Sequence, residues 1–415
     1  MPQIGDERCV APEIVAEEGV DPQVDGSRGG YPAATTMRVI DQHTLYESPF
    51  FHAAFPAIAQ TKDGSLLLSF RRGRDPLWLL GKGATRGGFG LSHIDPRSHL
   101  VTLRLDPASL AVRGDARVVE IDPEAADQDA SLLVTKSGRV LLGSFCWYSV
   151  PSAATSAVMP GFADGEPIAV RAPTHITTFQ VLAASMRVSD DNGLTFSVPR
   201  HLPPVDGVDE AWTALRSSFR AGLRGAFVER DGEILVCTYD GHTGRERVRI
   251  FVSGDGGETF THRAAIDDDP SGRAALQEPA LFCTASGTLV VFCRTTGVGD
   301  SLMTARSADG GVTWTPWERQ SAVGHPYNPL QLRDGRVLLT YGYRHAPYGI
   351  RARILDAECT NINEADEFVV RSDGQGTDLG YPWAVQLPDG DVLVVYYWSN
   401  ERDGRVIAAS RIALE

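Results

Sequence analysis

Three short stretches share one form: SDDNGLTF at residues 189–196, SGDGGETF at 253–260 and SADGGVTW at 307–314. The shared pattern is S-x-D-x-G-x-T-F/W. Its Asp can accept hydrogen bonds from turn amides, its Gly permits a left-handed backbone, and its aromatic ring can pack beneath. Each copy follows a strand-like run: LAASMRV, RVRIFV or LMTARS. Three copies in register make a repeat, and a repeat decides the fold class before any single motif does.

Working outward, a second pattern recurs around the first: an apolar strand, a turn containing Gly, then another apolar strand. It reads FPAIAQTKDGSLLLSF (55–70), SLLVTKSGRVLLGSF (131–145), GAFVERDGEILVCTY (225–239) and EPALFCTASGTLVVFCR (278–294). The last two are NPLQLRDGRVLLTYGYR (328–344) and YPWAVQLPDGDVLVVYYW (381–398). Six hairpins, each followed by an outer pair, predict an all-β, six-bladed β-propeller of four-stranded antiparallel blades. The longer gaps hold insertions at about 148–180 and 201–224. ATTMRVIDQHTLY, ahead of the first hairpin, is expected to complete the sixth blade beside RVIAASRIAL, which hides the sheet edges. Residues 1–35 are expected to form an irregular arm and 36–415 the propeller. No helical period dominates any long stretch, which disfavours a doubly wound α/β fold.

Composition narrows the function. The 415 residues are 42% hydrophobic and 22% charged, enough to build a core and too apolar for wholesale disorder. Asp plus Glu is 53 against 39 Lys plus Arg, a net charge of −14. That balance argues against a general nucleic-acid binder, which needs a basic surface, and leaves room for a local basic pocket. No run of 18 apolar residues occurs, so no membrane span is expected. The acidic N-terminal stretch lacks the apolar core of a secretory signal, which makes the cytoplasm the expected compartment. None of the six cysteines stands in a C-x-x-C pair, so reduced, mostly buried thiols are expected rather than a zinc site. No metal or cofactor is expected, and nothing in the sequence sets an oligomeric state.

The triplicated motif resembles the Asp-box of the sialidases and their six-bladed propeller relatives, over about residues 36–415. The resemblance implies an exo-acting glycoside hydrolase that releases a terminal acidic sugar with retention. Sialidases grip the substrate carboxylate with three arginines. Their nucleophile is a Tyr assisted by a Glu, and an Asp serves as acid/base. A neutral Tyr avoids the repulsion that a carboxylate nucleophile would meet beside the substrate's own carboxylate. Carried onto this chain, Tyr381 in DLGYPWAVQL matches the nucleophile, and Glu278 in QEPALF matches its base. Arg294 matches the second arginine. Arg351 matches the third, with Arg344 as its competitor.

The first blade departs from the family. Where sialidases carry F/Y-R-I-P, this chain has Ala53-Ala54-Phe55-Pro56, so Ala54 stands at the arginine position. Arg71 or Arg72, at the other end of that hairpin, is the expected substitute, with Arg74 nearby. The acid/base is sought in GGFGLSHIDPRSHLVTLRL, where Asp95, His93 and His99 are the titratable residues. His325 and Tyr327 are expected to line the pocket. The expected partner is an acidic saccharide. Two rivals stay open: a hydrolase or lyase for a different acidic sugar of the uronic acid type, and a non-catalytic glycan-binding propeller.

Overall fold

A computed structural model describes residues 36–74, 95, 97–122, 125–151, 177–205, 221–239, 247–267, 269, 271–400 and 404–415. The expected arm at 1–35, His93 and most of the two insertions lie outside the described residues. The described chain is all β, with six antiparallel sheets in which each strand pairs with the next along the chain. Blade 1 runs Phe51–Gln60, Leu66–Arg74, His99–Leu105 and Arg117–Val118. Blade 2 opens with the broken strand Ala126–Asp127 and Ser131–Val134, then Val140–Pro151, Thr177–Ser189 and Arg200–His201. Blade 3 is Val228–Arg230, Glu233–Tyr239, Val248–Ser253 and Thr261–Ile266. Blade 4 is Ala275–Cys283, Leu289–Thr296, Ser301–Ser307 and Glu318–Val323. Blade 5 is His325–Gln331, Val337–Tyr343, Gly349–Leu355 and Phe368–Arg371. Blade 6 takes Gly380–Gln386, Val392–Ser399 and Arg405–Leu414, and its fourth strand is Met37–Tyr46 from the other end of the propeller sequence. Met37 pairs with Leu414 and Tyr46 with Ile407, so the ring is closed by strand pairing, as the sequence suggested.

Second strands are apolar on both faces because each is sandwiched between neighbouring blades. Leu66, Leu67, Leu68 and Phe70 are fully buried, as are Val290, Val291 and Phe292. At about 1.5–3 kcal/mol per buried large side chain, these inter-blade layers supply the main driving force. The repeated motif secures them. In its second copy, Ser253 Oγ bonds Asp255 Oδ1 at 2.7 Å and accepts the Gly257 amide at 2.8 Å. Asp255 accepts the Thr259 amide at 3.0 Å and its hydroxyl at 2.5 Å. The copies at Asp191 and Asp309 repeat these bonds. A fourth, looser copy escapes the sequence pattern: Asp356 accepts the amide and hydroxyl of Thr360 between the last two strands of blade 5. Each box also packs on the preceding blade. A Cβ on Gly193 would lie 2.4 Å from Leu67, and one on Gly257 would lie 2.5 Å from Leu141. No described helix is long and apolar enough to cross a membrane.

Candidate active site

The site follows from a register that every hairpin shares. Counting back nine residues from Gly64, Gly138, Gly287 and Gly390 reaches Phe55, Asp129, Glu278 and Tyr381. Blade 3 has a turn shorter by one residue, and the matching position is Arg224. Blade 5 places the pair His325–Pro326 there. These residues lie on or close to the innermost strand of each blade, and those of blades 3, 4 and 6 meet one another. In blades 1, 4 and 6 the strand carries a bulge at this point, between Ala54 and Ala57, Gln277 and Ala280, and Gly380 and Trp383. Phe55, Glu278 and Tyr381 adopt φ of 56°, 48° and 52°, unusual for large side chains and each followed by Pro. Such strain concentrates at functional sites, where the surroundings hold a side chain on target.

A second ring lies one strand out. Counting forward seven residues from the turn Gly reaches Arg71 in blade 1, Arg294 in blade 4 and Tyr397 in blade 6. Arg71 pairs directly with Ala54, as Arg294 does with Gln277. Residues directly opposite in an antiparallel pair share a face, so Arg71 extends over the small Ala54. Its guanidinium is fully buried, 6.0 Å from the Phe55 ring. Burial lowers its pKa to about 10, against the opposing charges of Asp95, Asp129 and Asp378. The arginine missing from the first strand of blade 1 thus has a counterpart on the second. Arg72 points the other way, stacking on Phe51 at 4.2 Å and donating to His99 Nε2 at 3.0 Å.

The chemistry gathers at Tyr381. Its hydroxyl donates to Glu278 Oε1, and Arg294 Nη1 bridges the two, 2.7 Å from Glu278 Oε2 and 3.1 Å from Tyr381 Oη. Burial, then the charge of Glu278, raises the Tyr381 pKa, while Arg294 and Arg344 oppose the rise. The phenol is therefore neutral at rest, with a proton acceptor already in contact. Phe55 packs 4.7 Å from the Tyr381 ring and Tyr397 lies 5.8 Å from it. Arg344 sits 5.3 Å from the same ring, donating to the Leu379 carbonyl at 3.2 Å and to Tyr397 Oη at 3.1 Å.

Of the other expected residues, Arg351 and Tyr327 are engaged away from this cluster and His325 borders it. Arg351 is on the third strand of blade 5. Its guanidinium bonds the carbonyls of Arg371 at 2.9 Å and Pro347 at 3.0 Å and stacks on Tyr343 at 4.6 Å. The structure therefore brings Arg344 to Tyr381, in place of Arg351. Tyr327 is buried between blades 4 and 5, 5.3 Å from Tyr341, with its hydroxyl donating to the Ala322 carbonyl. His325 lies 3.2 Å from Asp300, whose other oxygen is 3.1 Å from His345. Burial, with Arg294 and Arg344 nearby, pushes the His325 pKa down and keeps the ring neutral.

Asp95 is engaged by Arg74. It receives Arg74 Nη2 at 2.7 Å and the Arg74 amide at 2.6 Å, and its turn closes on the Arg97 amide. Burial works to raise its pKa, but those bonds outweigh it and hold it below the ordinary carboxylate value. His99 donates through Nδ1 to the Arg97 carbonyl while Nε2 accepts from Arg72, which fixes a neutral tautomer. Burial, then the Arg72 charge, lowers its pKa.

Two residues at the axis were not among the sequence candidates. Asp129 is buried, with Glu278, Arg224, Arg71 and Arg294 as its charged neighbours. Burial and the charge of Glu278 push its carboxyl up to about 7 despite the three arginines. Arg224 is buried and joins three blades, donating to the carbonyls of Ala130, of Pro56 at 3.0 Å and of Tyr381 at 3.2 Å. It also faces the rings of Tyr381 and Trp383 at 5.4 and 5.0 Å. The nine-residue register would have found Asp129, and the same count, shortened by one for the tighter turn of blade 3, Arg224. Among the described residues, Arg71, Arg224, Arg294 and Arg344 bring cations to this cluster, an arrangement suited to an anion.

Comparison with known proteins bears on the fold. The profile described as a BNR repeat-like domain matches residues 169–394, more than half of the chain. A protein of unknown function from Dyadobacter fermentans is 34% identical, with a TM-score of 0.78, over 91% of this chain and 99% of that one. The NanB sialidase of Streptococcus pneumoniae is 14% identical, with a TM-score of 0.57, over 89% of this chain and 70% of that one. The intramolecular trans-sialidase of Ruminococcus gnavus is 15% identical, with a TM-score of 0.55, over 89% and 95%. A search of curated protein sequences returns no match. On its repeats, its blades and these likenesses, the chain belongs to the BNR repeat-like domain family and is sialidase-like in fold.

Proposed function

We propose that the protein is an exo-acting glycoside hydrolase that releases a terminal acidic sugar with retention of configuration. The contact between Tyr381 Oη and Glu278, bridged by Arg294, carries this reading. Glu278 takes the phenolic proton as Tyr381 Oη attacks the anomeric carbon, and Arg294 stabilises the developing phenolate. A phenol suits a substrate that carries its own carboxylate beside the anomeric carbon. Arg294, Arg344 and Arg71 are the cations placed to hold that carboxylate, two of them from equivalent positions of blades 1 and 4.

Turnover is tested with aryl glycosides of a sialic acid, of uronic acids and of neutral sugars, following the first-formed anomer by NMR. Hydrolysis of an acidic glycoside with a retained anomer is expected. Turnover of neutral glycosides alone, inversion, or an unsaturated product would contradict the reading. The arginine assignment has its own test. Arg344→Lys should raise KM about tenfold or more, because a point charge replaces a planar fork. Arg351→Lys should leave KM within about threefold, because its guanidinium serves backbone carbonyls. The reverse pattern would return Arg351 to the site.

A further inference from the structure

We infer that Tyr397 and Asp378 are positioning residues for substrate binding: Tyr397 aims Arg344 at the substrate carboxylate, and Asp378 holds the Tyr397 hydroxyl in place. The inference rests on the hydrolase reading above and deepens it, by naming what sets its anion grip.

Three observations carry it. First, hydrogen bonds join these groups in one line. Arg344 Nη2 donates to Tyr397 Oη at 3.1 Å, and Tyr397 Oη donates to Asp378 Oδ1 at 3.1 Å. Arg405 Nε donates to the other oxygen, Asp378 Oδ2, at 2.8 Å. Tyr397 is fully buried. Burial, then the charge of Asp378, pushes its pKa up, so the phenol stays protonated. Its one hydrogen goes to Asp378, and its oxygen is left to accept from Arg344.

Second, the backbone brings blade 5 to blade 6 at this point. Gly380 pairs with Tyr397, and the Leu379 carbonyl accepts Arg344 Nε at 3.3 Å and Nη2 at 3.2 Å. Gly342, two residues before Arg344, has no room for a side chain. A Cβ there would lie 2.4 Å from the His325 carbonyl oxygen and 3.3 Å from Gly380 Cα. That close approach lets Arg344 cross the blade boundary and reach the Tyr381 ring.

Third, Arg344 differs from its neighbour in what it touches. Arg294 is in contact with Glu278 at 2.7 Å, whereas among the described residues no carboxylate forms an ion pair with Arg344. Its bonds engage Nε and Nη2, and among the described residues Nη1 has no partner. An aspartate in direct contact would compete with a substrate carboxylate for the same fork. Asp378 stands one hydroxyl away. It orients the guanidinium through Tyr397 and leaves a donor edge open for the ligand.

The experiment measures binding by calorimetry, which needs no turnover. The probes are the C-glycosides of a sialic acid and of glucuronic acid, each as the acid and as its carboxamide. In Tyr397→Phe, Kd for the acid that the parent binds should rise about tenfold, and Kd for its carboxamide should change less than about threefold. On an aryl glycoside of the same sugar, KM should rise by more than kcat falls. Asp378→Asn, which keeps an oxygen for Tyr397 and removes the charge, is the second variant and should weaken the acid about threefold. Arg344→Lys and its combination with Tyr397→Phe should bind the acid within about twofold of each other, because without the fork there is nothing to aim. An unchanged Kd for the acid in Tyr397→Phe would overturn the inference alone. So would equal losses on acid and carboxamide in a variant that melts like the parent, or losses that add in the double variant. A parent that binds neither acid, or binds acid and carboxamide alike, overturns the acidic-sugar reading, and the inference with it.

Discussion

Replacing Tyr381 by Phe is expected to lower kcat/KM by about 10³-fold or more, a loss of about 4 kcal/mol in transition-state stabilisation. The substitution removes one oxygen and little else. The ring keeps its place 4.7 Å from Phe55 and beneath the guanidiniums of Arg224 and Arg344. Arg294 keeps its bond to Glu278, so the carboxylate grip and the fold should survive. Steady-state kinetics on the best acidic aryl glycoside, together with the dissociation constant of a non-hydrolysable acidic sugar, separates the two effects. Binding should change by less than about tenfold while turnover collapses. Activity within tenfold of the parent would remove Tyr381 from the chemistry.

Arg224→Met is expected to cost about 3–5 kcal/mol of stability, the largest single effect outside the reacting groups. The methionine is of similar length and apolar, so packing volume is nearly kept. What is lost is the donor set that ties together Ala130 of blade 2, Pro56 of blade 1 and the Tyr381 carbonyl of blade 6. Those carbonyls lose their bonds in a buried setting. Asp129 and Glu278 also lose a neighbouring cation. The denaturant midpoint measures the effect. A midpoint equal to the parent's would mean that Arg224 is a ligand-facing cation and not a bolt between blades.

The blades were legible because their signals are local. A turn Gly, two apolar strands and an Asp-box all fall within a few tens of residues, and three boxes share one form. The fourth box was hidden because Asp356 and Thr360 stand without the Ser and the Gly of the pattern, although the same bonds form. The site was half legible. Tyr381, Glu278 and Arg294 are the residues that the resemblance singled out, and the structure brings them into contact, while Arg71 follows from its pairing with Ala54. Arg351 stood ahead of Arg344 because resemblance fixes chain order, not depth in the blade. It lies on a third strand, two strand spacings of about 4.8 Å from the innermost one, whereas Arg344 follows a second strand and reaches the axis. Asp129 was overlooked because it precedes the apolar run from Ser131. Arg224 was absorbed into the insertion before blade 3. Both become visible once the hairpins are counted from their turns.

The most direct measurement is peptide mapping by mass spectrometry after incubation with a fluorinated acidic glycosyl fluoride. The fluorine slows release of a covalent intermediate and lets it accumulate. The account predicts one sugar adduct per chain, on the peptide containing Tyr381, and none in Tyr381→Phe. An adduct on Glu278 or Asp129, or steady turnover of an acidic glycoside with no adduct at any residue, would contradict it.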